Sequence, residues 1–224
     1  MLAFGRKTDI VSAMNRTLAS TSELVRNRVE ATPNGEPFSS TELLTLGTRA
    51  AIDHSLSRLA KAGVIVRITR GVYVRPITNE YVGQVTPDPF KIAQAVARGT
   101  GAQISINGAE AARRFGLSTQ MSTQSLFSTT GRSRQIFIGK SKIRLQHTSS
   151  RKLALAGRPA GMALSALYYL GREEVTTVVI EKIKAKLAPA EFEQLRRSTA
   201  VMPSWMSDVF YQNEISEIQE SLVA

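Results

Sequence analysis

The residues best suited to chemistry in this chain are cations set at helical and strand spacing. Arg49, His54, Ser57, Arg58 and Lys61 fall in one stretch with Ile52, Leu56 and Leu59. At about 100° per residue, those three apolar side chains share one side of a helix. Ala50, His54, Ser57 and Lys61 then lie opposite, with Arg58 at the edge. Thr48, Arg49 and Ala50, at the start of such a helix, are placed to reach deepest into a nucleic-acid groove. Arg49 suits a bidentate bond to guanine, and the Ala50 methyl suits a thymine methyl. The competing reading is an ordinary solvated face, with Arg49 and Asp53 no more than an i,i+4 ion pair.

A basic hairpin follows directly. Gly63 ends the helix, and residues 64–68 and 72–75 are β-rich arms around Thr69-Arg70-Gly71. Arg67, Thr69 and Arg75 are expected to face out, while Val66, Ile68, Val72 and Val74 pack inward and Tyr73 joins the core. Arg67, Arg70 and Arg75 there suit phosphate contacts or minor-groove insertion. A helix followed by a basic hairpin is the end of a winged helix-turn-helix. The elements that must position it precede it in order. Ser20, Thr21 or Ser22 caps a helix over residues 23–29, with Leu24, Val25 and Val29 as its apolar face. Residues 32–37 form a loop. Ser39 or Ser40 caps a short helix over residues 41–46, and Gly47 permits the sharp turn into the next.

Composition narrows the partner. The chain has 224 residues, 42% hydrophobic, a net charge of +11 and a pI near 10.3, which favours a polyanion. It has no cysteine, which excludes disulfides, zinc–thiolate sites and cysteine nucleophiles. The longest apolar stretch, residues 162–170, is too short for a membrane span, and residues 1–16 hold no signal-peptide run. A cytoplasmic protein without a membrane partner is the expectation. Charge is uneven: residues 87–160 carry 12 basic against 2 acidic side chains, and residues 161–224 carry 6 against 9.

The fold class expected is α+β in two domains. Residues 1–80 form the winged helix-turn-helix, with 1–20 a flexible arm, and 77–88 are a linker. Residues 88–224 form a module of helices on a small antiparallel sheet. Its elements are a helix at Pro89–Arg98, a strand at 103–106 and a helix from Asn107-Gly108 to Phe115-Gly116. Strands at 124–128, 134–138 and 142–147 follow, then helices at 159–170, 173–187, 189–197 and 203–218. The basic residues of this module are Arg113, Arg114, Arg132, Arg134, Lys140, Lys142, Arg144, Arg151 and Lys152. Strand alternation is read as setting Arg134, Lys142 and Arg144 outward, against Ile136, Ile138, Ile143 and Leu145. Such a surface suits either flanking DNA or an acidic protein.

Catalysis has little to work with. The chain has two histidines, His54 in the presumed DNA helix and His147 at a strand end, and neither a P-loop, an H-E-x-x-H nor a G-x-S-x-G motif. Glu173 and Glu174 are adjacent and face different directions, so they read as a helix-start charge feature. No catalytic residue, cofactor or metal is expected, which disfavours a nucleic-acid-modifying enzyme.

Two blocks resemble a known family. FSSTELLTLGTRAAIDHSLSRLAKAGVIVRITRGVYVRP is similar to the winged-helix region of AbiEi-type antitoxins of bacterial type IV toxin–antitoxin systems. ISINGAEAARRFGLSTQMSTQSLFSTTGRSRQIFIGKSKIRLQ resembles the antitoxin module that follows, with its Gly-Ala-x-Ala-Ala helix and Leu-Ser-Thr-Gln turn. The resemblance covers residues 38 to about 146. It implies a repressor that binds double-stranded operator DNA at inverted repeats in its own promoter and neutralises a nucleotidyltransferase-like toxin. The alternative is a stand-alone regulator of a mobile element with no toxin.

Overall fold

A computed structural model of the chain describes residues 19–79, 83–120, 124–139 and 141–223. The expected arm up to residue 20 therefore lies almost wholly outside the described residues, as does Lys140. The fold is α+β, in two compact units, Met1–Pro87 and Asp88–Ala224.

In the first unit, local hydrogen bonding sets each boundary. Helix α1 (Thr21–Glu30) opens with a capping box: the Glu23 N–H donates to Ser20 Oγ, and the Ser20 N–H donates back to the Glu23 carboxylate at 2.8 Å. After strand β1 (Phe38–Ser39), a second box forms between Ser39 and Glu42. It opens a 3-10 helix, Ser40–Leu46, where the sequence is read as an ordinary short helix over residues 41–46. Gly47 has an extended backbone, so its smallness serves a different end: a Cβ there would meet Thr21 Cγ2 at 2.5 Å. Helix α2 (Arg49–Lys61) ends in a Schellman motif, with Gly63 at φ 73°, Val64 N–H donating to Leu59 and Gly63 N–H to Ala60.

Strands β2 (Val66–Thr69) and β3 (Val72–Val74) form the hairpin, and β1 pairs on the far side of β3. β3 is thus central, and Val72, Tyr73 and Val74 are all buried rather than alternating. Tyr73 is in the core, stacked 6.1 Å from Phe38. Val25, Val29, Ile52, Leu56, Leu59 and Ile65 complete that core. Residues 77–88, expected as a linker, instead contain an antiparallel pair, β4 (Ile77–Asn79) and β5 (Gly83–Val85). β-branched Ile77, Thr78 and Val85 support pairing, and the prolines lie outside both strands.

The second unit begins with α3 (Pro89–Arg98), β6 (Ile104–Ile106) and α4 (Gly108–Arg114). Strands β7 (Ser125–Thr129), β8 (Arg134–Ile138) and β9 (Ser141–His147) follow. The sheet order is β6-β7-β9-β8, and β7 pairs with β9 in parallel. The expected antiparallel sheet is therefore mixed. β9 turns back from β8 and inserts beside β7, a pairing that alternation along each strand does not encode. α3 lies on one face, with Phe90 and Phe127 rings 5.2 Å apart.

Helices α5 (Pro159–Leu170), α6 (Thr177–Lys184), α7 (Pro189–Arg196) and α8 (Ser204–Val223) build the second core around Leu164, Leu167, Ile180, Ile183, Leu195 and Met206. α6 is shorter than the expected 173–187: after Gly171 caps α5 at φ 78°, residues 172–174 form a turn, Val175 is buried, and the helix runs only from Thr177 to Lys184. Glu173 and Glu174 thus lie in a turn, not at a helix start. α4 and α5 approach closely at Gly108, where a Cβ would stand 2.7 Å from the Ser165 carbonyl oxygen. Among the described residues, no helix is long and apolar enough to cross a membrane.

Candidate nucleic-acid interface

α2 presents the expected set together. Thr48, Arg49, Ala50, His54, Ser57, Arg58 and Lys61 are all exposed, while Ile52, Ser55, Leu56 and Leu59 are buried on the other side. Three of the exposed residues already have structural work. Thr48 is the N-cap, its hydroxyl accepting the Ala51 N–H at 3.4 Å. Arg49 donates through Nε to Asp53 at 3.0 Å, with both side chains about half exposed. Arg58 donates to Ser22 Oγ at 3.2 Å and so joins α2 to α1. An exposed ion pair of that kind is worth only a few tenths of a kcal/mol, so Arg49 can exchange Asp53 for a base at small cost.

On the hairpin, Arg67 and Arg70 are exposed and Thr69 is half-buried. Arg75 is not the outward cation its position suggested. Its guanidinium donates to the carbonyl oxygens of Glu30 and Thr32, both at 2.8 Å, where α1 ends. A helix C-terminus leaves carbonyls unpaired, and Arg75 satisfies them. Its role is to tie the strand to α1.

The second unit divides its cations. Glu110 takes both Arg113, with bonds of 2.7 Å, and Arg114, at 3.0 Å. The Arg113 hydrogen bond chiefly holds the Glu110 carboxyl down at about 2, and the carboxylate in turn raises Arg113. Arg134 has the parity of Ile136, not of Lys142, and its register partner is buried Leu145. It therefore lies on the α3 side, donating to the Val96 carbonyl at 3.4 Å, and burial pushes its guanidinium down. Arg134 is still exposed, but alternation puts it on the sheet face opposite Lys142 and Arg144, not with them as expected. Arg151 binds the carbonyls of Val201 and Met202, and Lys152 lies over the Tyr168 ring. Arg132 and Arg144 are exposed, and Lys142 is half-buried, 5.9 Å from the Phe137 ring centre. His147 contacts the Gly131 carbonyl through Nδ1 at 3.0 Å.

The residue that cation counting overlooked is Phe137, 65% exposed beside Lys142 and Arg144. Its parity, opposite to buried Ile136, was the available signal.

A search of curated proteins finds no match. The crystal structure of the RV2827C protein from Mycobacterium tuberculosis is similar at 14% identity, with a TM-score of 0.42 over 87% of this chain and 76% of that one. A family model matches residues 24–195, from α1 through α7. The chain belongs to that family, DUF6088, a family of unknown function.

Proposed function

We propose that the first unit is a winged helix-turn-helix and that the protein is a sequence-specific DNA-binding antitoxin. In this reading α1, the 3-10 helix and α2 are its three helical pieces, α2 is the recognition helix and β2–β3 is the wing. One observation carries the reading: α2 exposes Ala50, His54, Ser57 and Lys61 along one face and Arg49 at its first turn, followed at once by a hairpin exposing Arg67 and Arg70. A net charge of +11 fits a polyanionic partner. The resemblance of residues 38–146 to AbiEi-type antitoxins adds the rest: autorepression at inverted repeats, a nucleotidyltransferase-like toxin as partner, and action in the cytoplasm without catalysis.

Fluorescence anisotropy with the DNA upstream of its own reading frame, against a scrambled duplex, tests the DNA reading. Arg49→Ala is expected to cost about 1–3 kcal/mol on the operator and to relax one base position. Arg67→Ala/Arg70→Ala is expected to weaken both duplexes alike and flatten the log–log salt slope by about 0.9 per lost contact. Equal wild-type affinity for operator and scramble removes the sequence-specific role. Co-expression with the neighbouring toxin gene tests the second half; operator binding without rescue leaves a stand-alone regulator.

A further inference from the structure

The mixed sheet has a second face that α3 does not cover. Residues paired across adjacent strands share a face. Ser105 pairs with Ser128 and Ser128 with Gln146; Leu126 pairs with Arg144 and Arg144 with Gln135; Lys142 pairs with Phe137. At one end this face is covered: Ser105 and Ser128 are buried, α5 packs on β6, and Ser128 shares a cavity with Ser165 and Tyr168. At the other end it is open. Gln135, Arg144 and Gln146 are exposed, Lys142 and Leu126 are half-buried, and Phe137 stands 65% exposed among them.

Charge complementarity identifies the occupant. Residues 87–160 hold two carboxylates, Asp88 and Glu110. Asp88 caps α3 by accepting the Phe90 and Lys91 N–H groups, and Glu110 is taken by Arg113 and Arg114. Among the described strand residues, the open face is therefore an aromatic ring set among two cations, two amides and the half-buried Leu126. We propose that this face binds single-stranded nucleic acid, with an unpaired base stacked on Phe137 and phosphates on Arg144 and Lys142. Gln135 and Gln146 supply amides for base edges. Sequence-tolerant single-strand surfaces combine just these elements, aromatic rings on a sheet within a basic track. A duplex suits the face less, because its bases are stacked on each other and offer no free ring face to Phe137. A protein partner suits it less, because interface cores concentrate apolar area and exclude charge, and here one ring is surrounded by polar side chains. This surface belongs to the second unit and does not depend on the DNA reading of the first.

The test uses the full chain, a labelled oligo-dT and oligo-U, a duplex of the same length, and polyglutamate. Phe137→Ala and Phe137→Leu are expected to weaken single-strand binding about tenfold, and Phe137→Tyr to preserve it. Arg144→Ala is expected to flatten the single-strand salt slope by about 0.7. Because Phe137 is exposed, the variants keep the circular dichroism and melting temperature of the wild type. Arg67→Ala/Arg70→Ala, in the first unit, is expected to leave the Phe137 dependence intact. Unchanged single-strand affinity in Phe137→Ala and Phe137→Leu overturns the proposal. An equal loss on the duplex also overturns it, in favour of a backbone contact. Polyglutamate binding that needs Phe137, with oligonucleotide binding that does not, reassigns the face to an acidic protein.

Discussion

Arg67 on β2 and Arg75 just past β3 carry the same charge and do different things. Arg67 is exposed, whereas Arg75 holds two carbonyls at the end of α1. Arg75→Ala should therefore lower stability by about 1–3 kcal/mol, the usual worth of hydrogen bonds to a charged group, and leave the DNA salt slope unchanged. Arg67→Ala should do the reverse. Urea unfolding and salt-dependent anisotropy on the two variants separate them, and a flattened slope in Arg75→Ala would return that residue to the DNA. Glu110 makes a pH prediction. Its folded pKa is depressed to about 2 by Arg113 and Arg114, so its contribution is intact above the ordinary carboxylate range. That contribution shrinks as pH falls below about 4.5 and is lost on passing about 2. An NMR titration of its carboxyl carbon should show a midpoint near 2 that climbs in Arg113→Ala; a midpoint near 4.5 in the wild type would contradict the paired geometry.

At the scale of elements, glycines decide how closely backbones can pack. A Cβ on Gly161 would lie 1.8 Å from the Leu155 carbonyl oxygen, where the chain enters α5. The Gly-Ala-x-Ala-Ala helix has the same kind of reason: Gly108 approaches the Ser165 backbone, and Ala111 and Ala112 are fully buried. Gly161→Ala and Gly108→Ala should each destabilise by about 1–3 kcal/mol or more through overpacking. Gly139→Ala meets no neighbour and should show only the smaller strain of its φ of 55°. Chemical denaturation of the three variants checks the order; a cost at Gly139 equal to that at Gly161 would show that backbone angle, not space, governs. α5 also borrows its cap. The Glu191 carboxylate accepts the Ala160 N–H at 3.0 Å and pairs with Arg158, so α7 closes an N-terminus that its own cap residue leaves open.

For the molecule as a whole, the two units have separate cores. Ile52 and Leu56 are buried in one, Leu164 and Leu167 in the other. Ile52→Ala and Leu164→Ala should each cost about 2–5 kcal/mol in its own unit. Calorimetry should then show Ile52→Ala lowering one transition and Leu164→Ala another. A single transition shifted equally by both would mean that the units unfold as one. The division of charge follows the same line, since the 12 basic side chains of residues 87–160 fall within the second unit apart from the α2 and hairpin set.

The sequence by itself determined what short-range physics governs. A cap among Ser20, Thr21 and Ser22 and another at Ser39 or Ser40, Gly63 past a helix end, helices starting at Pro89 and Pro159, and Ile52, Leu56 and Leu59 on one helix side are local signals; the structure bears them out and picks Ser20 and Ser39 as the caps. Residues 77–88 pair for a local reason too: Ile77, Thr78 and Val85 are β-branched, and the prolines fall outside both strands. What only tertiary structure decided were the partners brought from far along the chain. Arg75 looked like one more outward cation until the end of α1 was set 2.8 Å away. The parallel pairing of β7 with β9 depends on where β9 finds a free edge, and single-strand alternation is silent on that. The exposure of Phe137 needed both, a parity visible in the sequence and a sheet face that α5 covers at only one end, because burial is a property of what lies opposite a residue and not of the residue itself.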